Sequence, residues 1–260
     1  MLRRCRRTVA LAFALLTCVV RYWLLRLRRP LTIERRALWL QSACRGILAS
    51  VGVRFTVEGQ PPDHGLVVAN HLSYLDICIF SAIMPCCFVS KLEVNRWPFF
   101  GKAARVGGTI FLDRSSLASA NVVSDIISER LAYSIPVLLF PEGTSTDGSE
   151  VLRFHSRLIH PATELGAPIT AAAIRYIPGG NIDERELCWF GDNSFLPHLW
   201  NVLGVSAFSA HVCFGQPRIY PDRRAAADET RAEIIAMRTE GISLSSVGAF
   251  EQADVLNGKC

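Results

Sequence analysis

The stretch Gly65-Leu66-Val67-Val68-Ala69-Asn70-His71-Leu72-Ser73-Tyr74-Leu75-Asp76 reads as a buried strand running straight into a helix, with a histidine at the junction. A short apolar run bounded by Gly and Asn suits a strand. Ser73, followed three residues later by Asp76 and then by the apolar Ile77-Cys78-Ile79-Phe80, has the form of a capping box with Ser73 at the N-cap. His71 then lies just before the helix. A spacing of five puts two side chains roughly 140° apart on a continuous helix and on opposite faces of a strand. Only the turn brings His71 and Asp76 together. An imidazole held by a carboxylate keeps one tautomer and leaves its other nitrogen to take a proton from a hydroxyl. A histidine near a helix start is more often structural, so the weight of this reading rests on a second motif about seventy residues on, Phe140-Pro141-Glu142-Gly143-Thr144-Ser145.

Outward from that anchor, the chain alternates strands and helices. Val53 to Glu58 is a short strand, and Gly59-Gln60-Pro61-Pro62-Asp63 a turn. A helix over 73–84 stops at Pro85, and Cys86 to Ser90 is a strand that delivers Lys91 to its end. Trp97-Pro98-Phe99-Phe100 reads as an exposed aromatic loop or short helix. Gly107 to Leu112 is a strand ending in Asp113-Arg114, and residues 116–132 are an amphipathic helix. Ile135 to Phe140 is a buried strand leading into Glu142, a helix lies near 157–165, and Pro168 to Ile174 is the next strand. Gly179 to Trp200 looks like an aromatic-rich insertion, His211 to Phe214 a late strand and Arg223 to Thr239 a polar helix. This alternation predicts an α/β fold whose sheet is mostly parallel and flanked by helices. Chemistry in such sheets collects at the carboxyl ends of the strands, where His71, Lys91, Arg114 and Glu142 all fall.

The 260 residues can bury a full core, and half of them are apolar. Nine cysteines without a Cys-x-x-Cys pair argue against a zinc site and a disulfide framework and favour a reducing compartment. The six histidines form no metal-ligand cluster. The net charge of +5 is uneven: residues 1–36 carry ten Arg against Glu34, a local +9, which leaves about −4 for residues 37–260. Nucleic acid is therefore a poor partner for the body of the chain.

Residues 1–50 are expected to form a membrane-associating helical segment, ahead of an α/β domain over 51–239 and a disordered tail over 240–260. The uninterrupted apolar run Thr8 to Val20 is about thirteen residues, short of the roughly 20 that cross a bilayer. Arg on both flanks places both ends at the cytoplasmic face. The reading is a helix lying in the cytoplasmic leaflet, with Tyr22 and Trp23 at headgroup level, and a tilted span is the alternative. Glu34 to Val51 is either a second surface helix or ordinary core packing.

Phosphate is held by Arg, Lys, backbone N–H groups and helix N-termini, and Lys91, Arg114 and the Gly143-Thr144-Ser145 turn supply such groups at one sheet edge. A carboxylate at the end of an apolar strand needs partners, and Arg114 is the candidate for Glu142. No Gly-x-Ser-x-Gly elbow and no Cys beside a His is present, so a substrate hydroxyl is the expected attacker. Asn70-His71-x4-Asp76, Lys91-x-Glu93 with Gly107 to Arg114, Phe140 to Thr144, and the Pro168 to Ile174 strand resemble, in order and spacing, the four blocks of glycerolipid acyltransferases of the 1-acylglycerol-3-phosphate O-acyltransferase type. The resemblance covers about residues 50–180.

That resemblance implies that His71 deprotonates the free hydroxyl of a lysophospholipid, oriented by Asp76, and that the alkoxide attacks the thioester of acyl-CoA or acyl carrier protein. Lys91, Arg114, Glu142, Gly143 and Thr144 would bind the acceptor. No metal and no cofactor besides the thioester co-substrate is implied, and the expected place is the cytoplasmic face of a bacterial inner membrane. The family pattern continues with Arg after Gly-Thr, where this chain has Ser145 and Thr146. The expected acceptor is 1-acyl-sn-glycerol-3-phosphate, with lyso-ornithine lipid or a zwitterionic lysophospholipid as the alternative, and a non-catalytic lipid-binding protein of the same fold as the other class.

Overall fold

A computed structural model describes residues 1–28, 31–97, 100–112, 117–179 and 181–245. Its strands are β1 (Val53–Glu58), β2 (Leu66–Ala69), β3 (Cys87–Lys91), β4 (Ile110–Leu112), β5 (Val137–Leu139), β6 (Ile169–Pro178) and β7 (Phe208–Phe214). Its helices are α1 (Leu2–Arg28), α2 (Ile33–Val51), α3 (Leu75–Ile83), α4 (Phe100–Val106), α5 (Leu117–Leu131), α6 (His160–Glu164), α7 (Phe195–Gly204) and α8 (Arg223–Ser245). The strands form one sheet in the order β1-β7-β6-β2-β5-β3-β4. Neighbours from β6 to β4 pair in parallel. β7 pairs antiparallel to β6 and parallel to β1, so the β1–β7 edge runs against the other five strands.

The period-2 alternation of strand side chains divides the core in two. Val67, Ala69, Leu138, Ala172, Ile174 and Tyr176 face a layer containing α2, α3 and α7. Leu66, Val68, Val137, Leu139, Ala171 and Ala173 face α6 and α8. Because both faces are covered, β2 and β5 read as unbroken apolar runs rather than alternating ones.

Several expectations change here. α1 is one helix of 27 residues that carries the thirteen-residue apolar run and the arginines on both sides of it, and Leu2–Leu27 is long and apolar enough to cross a membrane by length and composition. Arginine side chains do not end it, because their ionic heads reach away from the helix and their stems are good helix formers. It does not stand away from the domain: Leu11, Cys18, Tyr22 and Leu25 are half-buried against the core. Arg7, only 9% exposed, donates to the carbonyls of Leu203 (3.3 Å) and Val205 (2.6 Å), and Arg3 to that of Gly204 (3.1 Å). These guanidinium groups cap the C-terminus of α7, where carbonyls lack helical partners and the helix dipole is negative. α2 packs as core through Ala37, Trp39, Leu40, Ala43, Cys44, Leu48 and Val51. The late strand begins at Phe208, three residues before the expected start, and α8 runs on to Ser245; residues 246–260 lie outside the described residues.

Candidate active site

β2 enters the sheet through Gly65, whose positive φ of 83° and close approach to the Pro168 carbonyl leave no room for a side chain. It leaves at Asn70, the point where ladder pairing with β6 stops at Ala69↔Ala172. The Asn70 amide then substitutes for a strand residue: Nδ2 donates to the Ile174 carbonyl (3.0 Å) and Oδ1 accepts from the Ile174 N–H (2.8 Å). His71 follows this clamp. Its N–H donates to Glu142 Oε1 (2.7 Å), and its carbonyl accepts from the Thr146 N–H (2.9 Å). The ring stacks on Phe140 with centroids 4.1 Å apart and an interplanar angle of 15°. Its Nδ1 lies 2.8 Å from Asp76 Oδ2. A carboxylate can only accept, so Nδ1 carries the proton and Nε2 is the basic nitrogen.

Asp76 has no exposed surface, yet its charge is well served. Oδ2 also accepts from the N–H groups of Leu72 (2.7 Å) and Ser73 (3.0 Å), and Oδ1 accepts from the Tyr176 hydroxyl. The capping box is therefore half formed. α3 begins at Leu75, Tyr74 at its N-cap makes no capping bond through its side chain, and the Ser73 hydroxyl accepts from the Leu75 N–H at 3.4 Å. The Asp76 carboxylate turns back to the N–H groups ahead of the helix, where orphan donors and the dipole both favour an anion. Burial, and then the Asp76 charge, push the Tyr176 hydroxyl well above its usual range, which keeps it a donor.

A second line of groups holds Tyr176. Its N–H donates to Glu184 Oε1 (2.7 Å). Arg238 of α8 reaches Glu184 Oε2 (3.1 Å), the Gly148 carbonyl (2.7 Å) and, through Nη1, the Ile174 carbonyl (2.5 Å). The Ile174 carbonyl thus accepts from both Asn70 and Arg238.

Glu142 is 4% exposed, and its two oxygens take the N–H groups of His71 and Leu152, each at 2.7 Å. Among the described residues its partners are backbone groups; the expected partner, Arg114, lies outside them. Burial pushes its pKa up to about 7, against the pull of those two N–H groups. The geometry makes Glu142 a holder of the His71 backbone. Gly143, with φ of 75°, closes a turn by donating to the Phe140 carbonyl at 3.1 Å, and Thr144 beside it is exposed. Lys91 is exposed at the carboxyl end of β3, on the same sheet edge as His71 and Glu142.

The expected insertion closes over this edge. The Trp189 N–H donates to the Leu72 carbonyl at 2.8 Å, and the Ser145 hydroxyl donates to the Trp189 carbonyl at 2.5 Å. Trp189 meets Tyr74 and Trp97 edge-on, with centroids 5.9 and 5.7 Å apart. Tyr74 in turn touches Phe195, and its hydroxyl lies 3.0 Å from His198 Nδ1. Trp97 is half-buried in this cluster rather than exposed; residues 98 and 99 lie outside the described residues. Tyr176, Glu184, Arg238 and Leu152 were not singled out by sequence reasoning. They reach the site through strand pairing and helix docking, which leave no local pattern.

The Acyltransferase family model matches residues 53–175, from the start of β1 to one residue short of Tyr176. The chain is 36% identical over 200 residues to the lyso-ornithine lipid O-acyltransferase of Rhodobacter capsulatus, covering 74% of this chain and 72% of that relative. It is 30% identical over 200 residues to the 1-acyl-sn-glycerol-3-phosphate acyltransferase of Neisseria meningitidis, covering 74% of this chain and 78% of the relative. The crystal structure of the 1-acyl-sn-glycerophosphate (LPA) acyltransferase PlsC from Thermotoga maritima superimposes with a TM-score of 0.64 at 17% identity, over 96% of this chain and all of that one, and so shares the fold.

Proposed function

This chain belongs to the acyltransferase family and is an acyltransferase, and from that premise we propose that His71 is the general base that activates the free hydroxyl of a lysolipid. His71 Nε2 takes the hydroxyl proton, and the alkoxide oxygen attacks the carbonyl carbon of the acyl thioester. The tetrahedral intermediate collapses with cleavage of the carbon–sulfur bond, and the departing thiolate recovers the proton from the imidazolium. Asp76 stabilises that imidazolium and keeps Nδ1 as the protonated nitrogen. The single observation that carries this reading is the fully buried Asp76 bonded to His71 at 2.8 Å with three further donors on its oxygens. A protein that merely binds lipid has no use for an imidazole held in one tautomer. The chemistry needs only the thioester, acyl-CoA or acyl carrier protein, as co-substrate.

The acceptor that the motifs imply is 1-acyl-sn-glycerol-3-phosphate, with Lys91, Arg114 and the Gly143-Thr144 turn facing its phosphate. A second acceptor, lyso-ornithine lipid, is favoured by one observation: Ser145 stands where the family pattern has Arg, and its hydroxyl is spent on the Trp189 carbonyl. A dianionic phosphate monoester then has one cation fewer to meet it, whereas a zwitterionic headgroup asks for less charge. Relatives named for each acceptor match this chain. We place the protein at the cytoplasmic face of a bacterial inner membrane, on the strength of the apolar, Arg-flanked α1 and of bacterial relatives that act on lipids.

Purified protein assayed with labelled acyl-CoA and acyl carrier protein against both acceptors tests the reading. The expected result is transfer to at least one lysolipid that His71→Ala abolishes. Thioester hydrolysis without transfer, or equal transfer by His71→Ala, would refute it.

A further inference from the structure

α7 leaves two large apolar side chains one turn apart on its outer face, Leu196 at 73% and Trp200 at 42% exposure. Single exposed apolar residues are ordinary on soluble proteins. These two are not isolated. The Arg4 guanidinium of α1 lies 5.7 Å from the centre of the Trp200 ring, and Arg3 and Arg7 hold the C-terminus of α7. The outer face of α1 continues from there as a stripe at helical spacing that includes the exposed Val9, Phe13, Leu16 and Leu27. Two helices that pack together therefore present adjoining apolar faces, with cationic heads at the seam between them.

We propose that α7 is a second membrane-contact helix, whose Leu196–Trp200 face extends the lipid-facing stripe of α1 into the headgroup region of an anionic bilayer. Tryptophan beside arginine, with leucine one turn away, is the composition that settles at the boundary between headgroups and acyl chains, where the ring is half apolar and the guanidinium meets phosphate. The placement has a use. The opposite face of the same turns of α7 carries Phe195 and His198 against Tyr74, the N-cap residue of the helix that bears Asp76. A bilayer on the Leu196–Trp200 face thus lies about one helix diameter, about 10 Å, from the aromatic cluster at the site, and a lysolipid can approach His71 along the membrane surface.

The test uses the full chain and vesicles of phosphatidylethanolamine and phosphatidylglycerol with brominated acyl chains. Wild type is expected to show a quenched tryptophan component that Trp200→Phe removes. Leu196→Glu combined with Trp200→Glu is expected to weaken vesicle partitioning by roughly tenfold or more, from the apolar area lost. Its turnover on a short-chain lysolipid below micelle concentration should stay within twofold of wild type, which checks that the fold is intact. An unquenched Trp200 would overturn the proposal, as would partitioning of the double variant equal to that of wild type. If the double variant misfolds, the quenching difference between wild type and Trp200→Phe decides alone.

Discussion

Tyr176→Phe removes one oxygen atom and tests the chain of groups behind His71. The ring should stay in place, because its edge contact with Phe208 at 5.6 Å involves no hydroxyl. What is lost is the donor to Asp76 Oδ1, on a carboxylate with no exposed surface for water to reach. A hydrogen bond to a charged group is worth about 1.5–3 kcal/mol, and a buried acceptor left unpaired costs its desolvation in full. For a chain of this size that corresponds to a Tm lower by about 3–12 °C. The other Asp76 oxygen keeps its three donors, so the fold survives, but the carboxylate plane is then held from one side only. kcat should fall by about tenfold, with KM for the acyl donor unchanged, because the misplaced group acts on the base and not on binding. Thermal unfolding and steady-state rates should be measured in wild-type and Asp76→Asn backgrounds. The two substitutions should be strongly non-additive. Additive effects, or a Tyr176→Phe enzyme of unchanged Tm and kcat, would refute the argument.

Three further outcomes are expected. His71→Ala should cost about 10²–10⁴ in rate while circular dichroism and Tm stay near wild type, since a general base supplies that much and this side chain fills no large part of the core. Glu142, raised from 4.5 to about 7, contributes stability that is full below pH 4.5 and is lost as pH rises through about 7, amounting to about 3 kcal/mol across that window. Denaturation midpoints measured from pH 4 to pH 8 should show this decline in wild type, and Glu142→Gln should flatten it; a parallel decline in both would count against the assignment. Arg7→Met keeps the aliphatic stem and deletes the donors to α7, so unfolding should become easier by about 1.5–3 kcal/mol and limited proteolysis should open the α7–β7 connection first; an unchanged cleavage pattern would show that the cap is dispensable.

The parts of this molecule legible in the sequence are those in which one segment carries its own reason. β2 and β5, walled on both faces, had to be continuous apolar runs, and the breaks at Gly65, Pro85 and Gly143 mark real turns. His71 and Asp76 were readable because a turn of four residues joins them. Glu142 was readable as a buried carboxylate in need of partners, but its partners are the N–H groups of His71 and Leu152, which carry no side-chain signature. Tyr176 was out of reach, since nothing local tells that the sixth strand aims that hydroxyl at a carboxylate 100 residues earlier. The reversed β1–β7 edge was equally hidden, because the direction of a strand is set by pairing and not by composition.

The arginine caps between α1 and α7 join segments that lie 196 to 201 residues apart. At a synthesis rate of about 5–20 residues per second, α1 waits about 10–40 s before the carbonyls it caps exist. During that interval its inner stripe of Leu11, Cys18, Tyr22 and Leu25 has no distant protein partner, and its outer stripe is open to the bilayer proposed above. On the membrane location proposed above, the bilayer is then the first surface on which this chain is ordered, and the α/β domain is assembled against a helix already held there. Expression without a membrane at hand should therefore yield chains that aggregate through α1 before α7 can claim it, a failure of timing that leaves the stability of the finished fold untouched.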